Sequence, residues 1–176
     1  MTNTPSAPPR VSVYVAAGSN ISPTEHLRRA ITALAERFPD LKVSPAYRNA
    51  AVGFVGDDFI NLAMGFTTTH ALPELINELQ AVEALCGRSR SDAKWAPRTM
   101  DIDLLLYGDA VGEFPGVSLP RPDLMKRPYM LGPLAQIAPE LMHPVLHQTI
   151  GSLWSRFESS GHQLQSIDLW DVADAL

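Results

Sequence analysis

The sequence predicts an α+β fold: one antiparallel sheet with helices packed on it, followed by a C-terminal extension. Six segments show strand or helix periodicity, in the order strand, helix, strand, strand, helix, strand. The chain has 176 residues, of which 45% are hydrophobic and 19% charged, as is typical of a globular domain. This order of elements is the split βαβ, or ferredoxin-like, arrangement (βαββαβ), which places both helices on one face of the sheet.

The first strand and the first helix have the clearest local signals. Residues 11–17 form a β-branched, partly alternating run. Ser22, Pro23 and Glu25 then match a helix start, in which Ser22 and Glu25 are spaced as a capping box. Apolar residues follow at spacings of three and four until Pro39, which ends the predicted helix.

The later elements are predicted from the same periodicities. Residues 41–47 indicate a second strand, in which Pro45 requires an edge position or a bulge because proline has no N–H. Residues 50–58 contain Gly53, Gly56 and a pair of aspartates, as is typical of a loop. The other predicted elements are two strands at residues 59–69 and 99–107, and three helical segments at residues 73–87, 130–138 and 150–157.

The chain is predicted to form a single domain over residues 11–176, preceded by a loose arm at residues 1–10. The lone cysteine, Cys86, excludes an intrachain disulfide and fits a reducing compartment. The uncharged run at residues 59–73 is too short and too polar to span a membrane. We expect a cytoplasmic monomer with no attachment to membranes.

The charge of the chain is unevenly distributed. The formal net charge is -5, which disfavours general binding of nucleic acids or of anionic membranes. Residues 88–127, however, hold seven basic and six acidic side chains, a local charge of +1. A locally cationic segment in an acidic protein favours a small anionic ligand over a polyanion.

Asp101 and Asp103 are the residues whose local pattern most strongly indicates a functional site. Residues i and i+2 of a strand point to the same face, so both carboxylates are expected to project together. Adjacent carboxylates repel each other unless a cation lies between them, and Mg²⁺ prefers such oxygen ligands together with substrate phosphates. Alternatively, the pair lies on an exposed strand face, or one member forms an ion pair with Arg98.

A basic loop at residues 88–98 directly precedes this strand. Its four cations are Arg88, Arg90, Lys94 and Arg98. Arginine offers a fixed fork to phosphate oxygens, so the loop could hold a polyphosphate near the carboxylates. Alternatively, the loop is a solvated turn with Trp95 packed into the core. Glu83, on the preceding helix, is expected to face solvent.

Four segments of this chain, taken together, carry a resemblance. They are YVAAGSN at residues 14–20, the helix end at residues 83–90, WAPRTMDIDLLLYGD at residues 95–109 and LPRPDLMKRPYMLGPLAQIAP at residues 119–139. In this order they resemble the 6-hydroxymethyl-7,8-dihydropterin pyrophosphokinase family of folate biosynthesis. The resemblance covers about residues 11–144 and leaves the tail without a motif. It implies transfer of the β,γ-pyrophosphoryl group of ATP to the hydroxymethyl oxygen of the pterin, with release of AMP.

The resemblance also implies roles for individual residues. The residues implied to be catalytic are Arg88, Arg98, Asp101 and Asp103, of which Asp101 and Asp103 would bind two Mg²⁺ ions. The implied ATP-binding residues are Gln80, Glu83, Arg88, Arg90, Trp95, Arg98, Arg121 and Arg127. The implied pterin-binding residues are Asn49, Val52, Phe59, Asn61 and Tyr129. The implied partners are therefore two small-molecule substrates.

The chain departs from the family pattern at Ser91, Ala96, Arg121 and residues 49–50, none of which removes a metal ligand or a principal arginine. Two other functions stay open. A binding module of the same fold could hold a nucleotide or a pterin without turnover. A sheet-based RNA-binding module would need stacking aromatic residues on the central strands, where this chain places carboxylates.

Overall fold

The computed structural model describes residues 6–51, 55–88, 99–158, 161 and 164–171. Its strands are β1 (Val11–Ser19), β2 (Lys42–Val43), β3 (Ala46–Asn49), β4 (Phe59–Thr68), β5 (Asp101–Tyr107), β6 (Gly112–Phe114), β7 (Val117–Leu119) and β8 (Gln165–Ile167). Its α-helices are α1 (Pro23–Arg37), α2 (Leu72–Leu85), α3 (Pro128–Ile137) and α4 (Ile150–Glu158), and a short 3₁₀ helix spans Pro122–Met125. The predicted order of strands and helices is confirmed.

The main sheet has the strand order β5-β1-β4-β3-β8, and all of its pairings are antiparallel. The second predicted strand is divided into β2 and β3, and both pair with β4. Pro45 lies at the break, where the Ser44 hydroxyl accepts a hydrogen bond from the Ala63 amide at 2.8 Å. Pro45 thus marks an interruption rather than a sheet edge, because β8 of the tail pairs with the outer side of β3.

Both faces of the sheet are covered by helices. One core cluster joins the sheet to α1 and α2, through buried side chains such as Leu27, Leu34 and Leu75. A second cluster joins the opposite face to α3 and α4, through Leu131 and Trp154 among others. The first two helices therefore share one face, as predicted. Within the described ranges, no helix has both the length and the apolar character needed to cross a membrane.

The expected capping box at the start of α1 is wrong. Ser22 has φ 42° and makes no side-chain capping bond, because its left-handed backbone departs from the extended conformation of a capping residue. Glu25 instead forms an ion pair with Arg29 at 2.9 Å. The sequence also did not predict the β6–β7 hairpin or β8, which are three-residue strands too short to show a period.

The C-terminal extension packs onto α3 at Gly132. A Cβ added at residue 132 would lie 2.4 Å from Leu164 Cδ1 and 2.9 Å from Trp154 Cη2. Gly132→Ala is therefore expected to displace the extension and to lower the free energy of unfolding by about 1–3 kcal/mol, as overpacking does. Urea unfolding measures this loss. Ser152→Ala, on the exposed side of α4, is the control and should change stability by less than about 0.5 kcal/mol. Equal stability of the two variants would contradict tight docking of the extension.

Candidate active site

The candidate site lies at one end of the sheet, on the face that α3 covers. Strand pairing aligns Asp101 of β5 with Gly18 of β1, and Gly18 in turn with Asn61 of β4. Directly paired residues of an antiparallel sheet share a face, so these three residues form one row. Asp103 pairs with Ala16, which belongs to the cluster under α3. The predicted common face of Asp101 and Asp103 follows from this register.

Arg88 connects the end of α2 to the carboxylate strand. Its Nη1 donates to Asp101 Oδ1 at 2.6 Å and to Glu83 Oε1 at 2.7 Å. Glu83 Oε1 also accepts the backbone N–H of Ile102 at 2.8 Å, and the Glu83 side chain is only 13% exposed. The expectation that Glu83 faces solvent is therefore wrong. This carboxylate ties α2 to β5 and holds Arg88 beside Asp101.

The protonation behaviour of this cluster follows from burial and from its charges. Burial is the main cause that raises the pKa of Glu83, while the Ile102 N–H and Arg88 oppose the rise. Burial alone would lower the pKa of Arg88, but the charges of Asp101 and Glu83 outweigh it and raise that pKa. Arg88 thus stays fully charged at any physiological pH.

A second arginine lies on the other side of the carboxylate pair. Arg121 Nη2 is 3.1 Å from Asp103 Oδ1, and Arg121 Nε is 3.7 Å from Asp123 Oδ2. Burial, followed by the charge of Asp101, raises the pKa of Asp103 to about 7, although Arg121 opposes this rise. Burial, together with the neighbouring carboxylate, therefore favours the protonated form of Asp103 more than in a free aspartate.

The carboxylates of Asp101 and Asp103 fit a Mg²⁺ site to which substrate phosphates also contribute ligands. Two adjacent carboxylates are hard oxygen ligands, and the charge of Asp101 contributes, after burial, to the raised pKa of Asp103. Across the ranges that the structure describes, no group of three or more His, Cys, Asp or Glu side chains could enclose a metal. Such a site would need oxygen ligands from a substrate as well.

The candidate pterin-binding residues lie beside this row. The Asn61 side-chain amide donates to Asn49 Oδ1, and Asn49 pairs with Phe59 across β3 and β4. Tyr129, at the start of α3, has a pKa raised chiefly by burial and also by the charge of Asp103, while Arg127 opposes the rise. The phenol of Tyr129 therefore lies within electrostatic reach of the carboxylates.

The structure brings together most of the implied residues that it describes. Gln80 is exposed on α2, one turn before Glu83, and Arg127 immediately precedes α3. Four implied residues lie outside the described ranges: Val52, Arg90, Trp95 and Arg98. The sequence did not single out Asp123 as the second partner of Arg121. Nor did it show that Gly18 contacts Asn61, because no local pattern encodes which residues pair across strands.

Gly18 leaves space for the Asn61 side chain. A Cβ added at residue 18 would lie 2.4 Å from Asn61 Oδ1. Gly18→Ala is therefore expected to turn the Asn61 amide away from Asn49 and to raise the KM for a pterin substrate about tenfold, a loss of about one hydrogen bond. Steady-state kinetics with each substrate varied in turn measure the effect, and the KM for the nucleotide should stay within about twofold of wild type.

A double-mutant cycle is the control for this prediction. Asn61→Ala alone should raise the same KM, and Gly18→Ala added to it should have little further effect, because the side chain that clashes is gone. If the two substitutions are instead additive, Gly18 acts independently of Asn61 and the expected mechanism is wrong.

Comparisons with known proteins point to one family. A family model described as 7,8-dihydro-6-hydroxymethylpterin-pyrophosphokinase (HPPK) matches residues 14–139. A 2-amino-4-hydroxy-6-hydroxymethyldihydropteridine pyrophosphokinase of Synechocystis is 35% identical over 165 residues, covering 92% of this chain and 80% of the relative. The Pseudomonas aeruginosa protein of that name is 38% identical over 137 residues, covering 75% of this chain and 83% of the relative.

A solved structure of Plasmodium falciparum HPPK-DHPS has a similar fold, with a TM-score of 0.65 at 14% sequence identity. The similarity covers 86% of this chain, which spans 42% of that longer protein. At this identity the likeness concerns the fold alone.

Proposed function

The chain belongs to the 7,8-dihydro-6-hydroxymethylpterin-pyrophosphokinase family, and on that premise we propose how its own residues carry out the reaction. The protein is an ATP-dependent pyrophosphokinase of folate biosynthesis. It transfers pyrophosphate from ATP to 6-hydroxymethyl-7,8-dihydropterin and releases AMP. The observation that supports the residue assignment best is the carboxylate pair of β5 with an arginine on either side.

Asp101 and Asp103 would hold two Mg²⁺ ions together with the ATP phosphates. The support is that both side chains lie on one face of β5, are partly exposed and repel each other without a further cation. The chemistry that Mg²⁺ supplies when bound is neutralisation of charge on the phosphate oxygens. The pair therefore acts as a carrier of cations rather than as a nucleophile.

Arg88 and Arg121 would bind the phosphate oxygens of ATP. Each guanidinium already lies against one of the two carboxylates, so little movement separates it from phosphates held there. Pyrophosphoryl transfer needs positioning and charge neutralisation more than covalent help from the protein, and two arginines beside the carboxylates would provide both. Glu83 would position Arg88 through its ion pair and would itself stay anchored to Ile102.

Asn61, Asn49, Phe59 and Tyr129 would form the pterin pocket at the other end of the row. Asn61 presents an amide that can match the polar edge of a pterin, and the two aromatic rings provide apolar walls. This arrangement would direct the hydroxymethyl group toward Asp101 along the row through Gly18. The roles of Val52, Arg90, Trp95, Arg98, Gln80 and Arg127 stay predictions from the family resemblance.

The test is an assay that distinguishes AMP from ADP. Purified protein with Mg²⁺, ATP and the hydroxymethyl dihydropterin should release AMP and the pterin diphosphate in equal amounts. A pterin with a methyl group in place of the hydroxymethyl group is the matched control and should release none. Release of ADP, or tight ATP binding without turnover, would contradict the proposal, and the second result would favour a binding module.

The proposal extends to a cytoplasmic monomer that acts on small molecules and not on nucleic acid, in a single domain over residues 11–176. The supporting observations are the buried thiol of Cys86 and the covering of both sheet faces by helices in the described part of the chain. A sheet with an open face would be needed to stack RNA bases. Light scattering on the purified protein tests the monomer.

A further inference from the structure

Arg121 contacts the carboxylates of Asp103 and Asp123, and its backbone is hydrogen-bonded to β5. Its N–H donates to the Leu105 carbonyl at 2.9 Å, so the residue is attached to β5 two positions beyond Asp103. Its guanidinium contacts Asp103 through Nη2 and Asp123 through Nε, with 29% of the side chain exposed. Its buried Nε has no hydrogen-bond partner. The side chain is thus held by its two ion pairs.

Each metal-candidate carboxylate already has an arginine as its counter-ion. Asp101 is paired with Arg88 at 2.6 Å and Asp103 with Arg121 at 3.1 Å. A divalent cation on Asp103 would meet the Arg121 guanidinium at close range, where like charges in a partly buried site repel strongly. Cation and guanidinium therefore compete for the same carboxylate.

The inference rests on the proposed function. We propose that Arg121 is an exchangeable counter-ion, which neutralises Asp103 in the nucleotide-free enzyme and transfers to the ATP phosphates when a divalent cation takes its place. A cation without nucleotide must displace Arg121 from Asp103 with no new anion to receive it, so it binds weakly. A cation that arrives with ATP brings that anion, so the pair binds tightly. The coupling of cation and nucleotide is reciprocal, as linkage requires.

Asp123 has a supporting role in this exchange. It is the more exposed of the two partners, at 41% against 21% for Asp103, and it contacts Nε of the guanidinium whereas Asp103 contacts Nη2. When Arg121 leaves Asp103, Asp123 keeps the side chain near the site. The arginine therefore moves between neighbouring anions instead of being lost to solvent.

Two binding constants of the full chain test the exchange. The first is the Kd for Mn²⁺ alone, measured by electron paramagnetic resonance. The second is the Kd for the preformed complex of Mg²⁺ with a non-hydrolysable ATP analogue, measured by calorimetry. In Arg121→Gln we expect Mn²⁺ alone to bind about fivefold to tenfold more tightly and the nucleotide complex to bind weaker by a similar factor, within the usual range of coupling. These opposite shifts are the signature of exchange.

Lys126→Gln is the matched control, because it removes one positive charge nearby, from an exposed residue that forms no ion pair within the described ranges. It should alter the Kd for Mn²⁺ alone by less than about twofold, the effect of a screened charge. Arg121→Lys keeps the charge and should stay within about twofold of wild type in the same titration. Thermal unfolding shows whether Arg121→Gln folds. If it does not, Arg121→Lys still tests the proposal, because lysine lacks the paired N–H donors of a guanidinium and the Kd for the nucleotide complex should therefore rise.

The exchange is overturned if Arg121→Gln shifts both constants in the same direction, or shifts the Mn²⁺ constant no more than Lys126→Gln does. A lysine variant equal to wild type in both constants also overturns it. Failure of the proposed function has a different signature. In that case the wild-type chain itself does not bind the nucleotide complex, whatever residue 121 is.

Discussion

Replacement of Asp101 or Asp103 by asparagine is expected to abolish AMP release, with kcat/KM lowered by about 10³-fold or more. Asparagine keeps the shape of the side chain but removes the charge that would hold Mg²⁺ against the phosphates, and charge stabilisation of this kind supplies several kcal/mol. The same assay that separates AMP from ADP measures the loss. Asp109→Asn, in an exposed position just after β5, is the control and should retain activity within about twofold.

The same substitution at Asp103 is expected to stabilise the metal-free protein. Folding raises the pKa of this carboxyl from 3.8 to about 7, so the folded chain prefers the protonated form. The ionised form therefore costs stability, and this cost grows as the pH rises from about 4 to about 7 and stays in place above that range. Asp103→Asn should raise the free energy of unfolding by about 1–3 kcal/mol at pH 8 and should change it little at pH 4.

Urea unfolding in a chelator at both pH values checks this dependence. Two outcomes would count against the assignment of the carboxylates. One is AMP release that survives in the variant with both carboxylates replaced. The other is an Asp103→Asn variant less stable than wild type at pH 8, which would mean that the ion pair with Arg121 outweighs the cost of burial and of Asp101.

Arg88→Met is expected to lower activity about 10²-fold and, in contrast, to destabilise the fold by about 1–3 kcal/mol. Methionine fills similar space without charge, so Asp101 and Glu83 would lose their common cation. Glu83 would be affected most, because its side chain is 13% exposed and would retain, within the described ranges, only the hydrogen bond from the Ile102 N–H. An unpaired, nearly buried carboxylate is costly.

A second substitution separates the two effects of Arg88→Met. Adding Glu83→Gln removes the unpaired charge and keeps an acceptor for the Ile102 N–H, so stability should return while activity should not. Arg37→Met breaks an ion pair of similar length, to Glu78 at 2.9 Å, that is more exposed and lies away from the site. It should cost less than about 1 kcal/mol and leave AMP release unchanged. Recovered activity in the double variant would show that Arg88 acts only through stability.

Much of the site could be predicted from local sequence. The common face of Asp101 and Asp103 follows from strand periodicity, which needs only two residues at i and i+2. Arg88 lies just beyond the end of α2, and that end could be predicted because the helix periodicity stops before Gly87. The pterin-side residues Asn61 and Tyr129 were predicted only by resemblance to a family, since nothing in their local pattern distinguishes them from ordinary strand and helix residues.

The errors in the prediction have a common cause. Glu83 was expected in solvent because a single helical glutamate usually lies there, yet the N–H of Ile102 and the guanidinium of Arg88 draw it inward. Ser22 was expected to cap α1, yet its backbone takes the left-handed conformation. In both cases groups outside the local pattern decide the conformation, and short-range statistics do not contain them.

The sequence by itself therefore determined the order of strands and helices, the uneven charge of an acidic chain with one locally cationic segment, and the position of the carboxylate pair on one strand face. These features depend on periodicities and charges within a few residues. Only the tertiary structure decided which partners meet: Arg121 with Asp103, Gly18 with Asn61, and the tail strand β8 with β3. Those contacts join segments far apart in the chain, and strand register and packing of the whole core select them together.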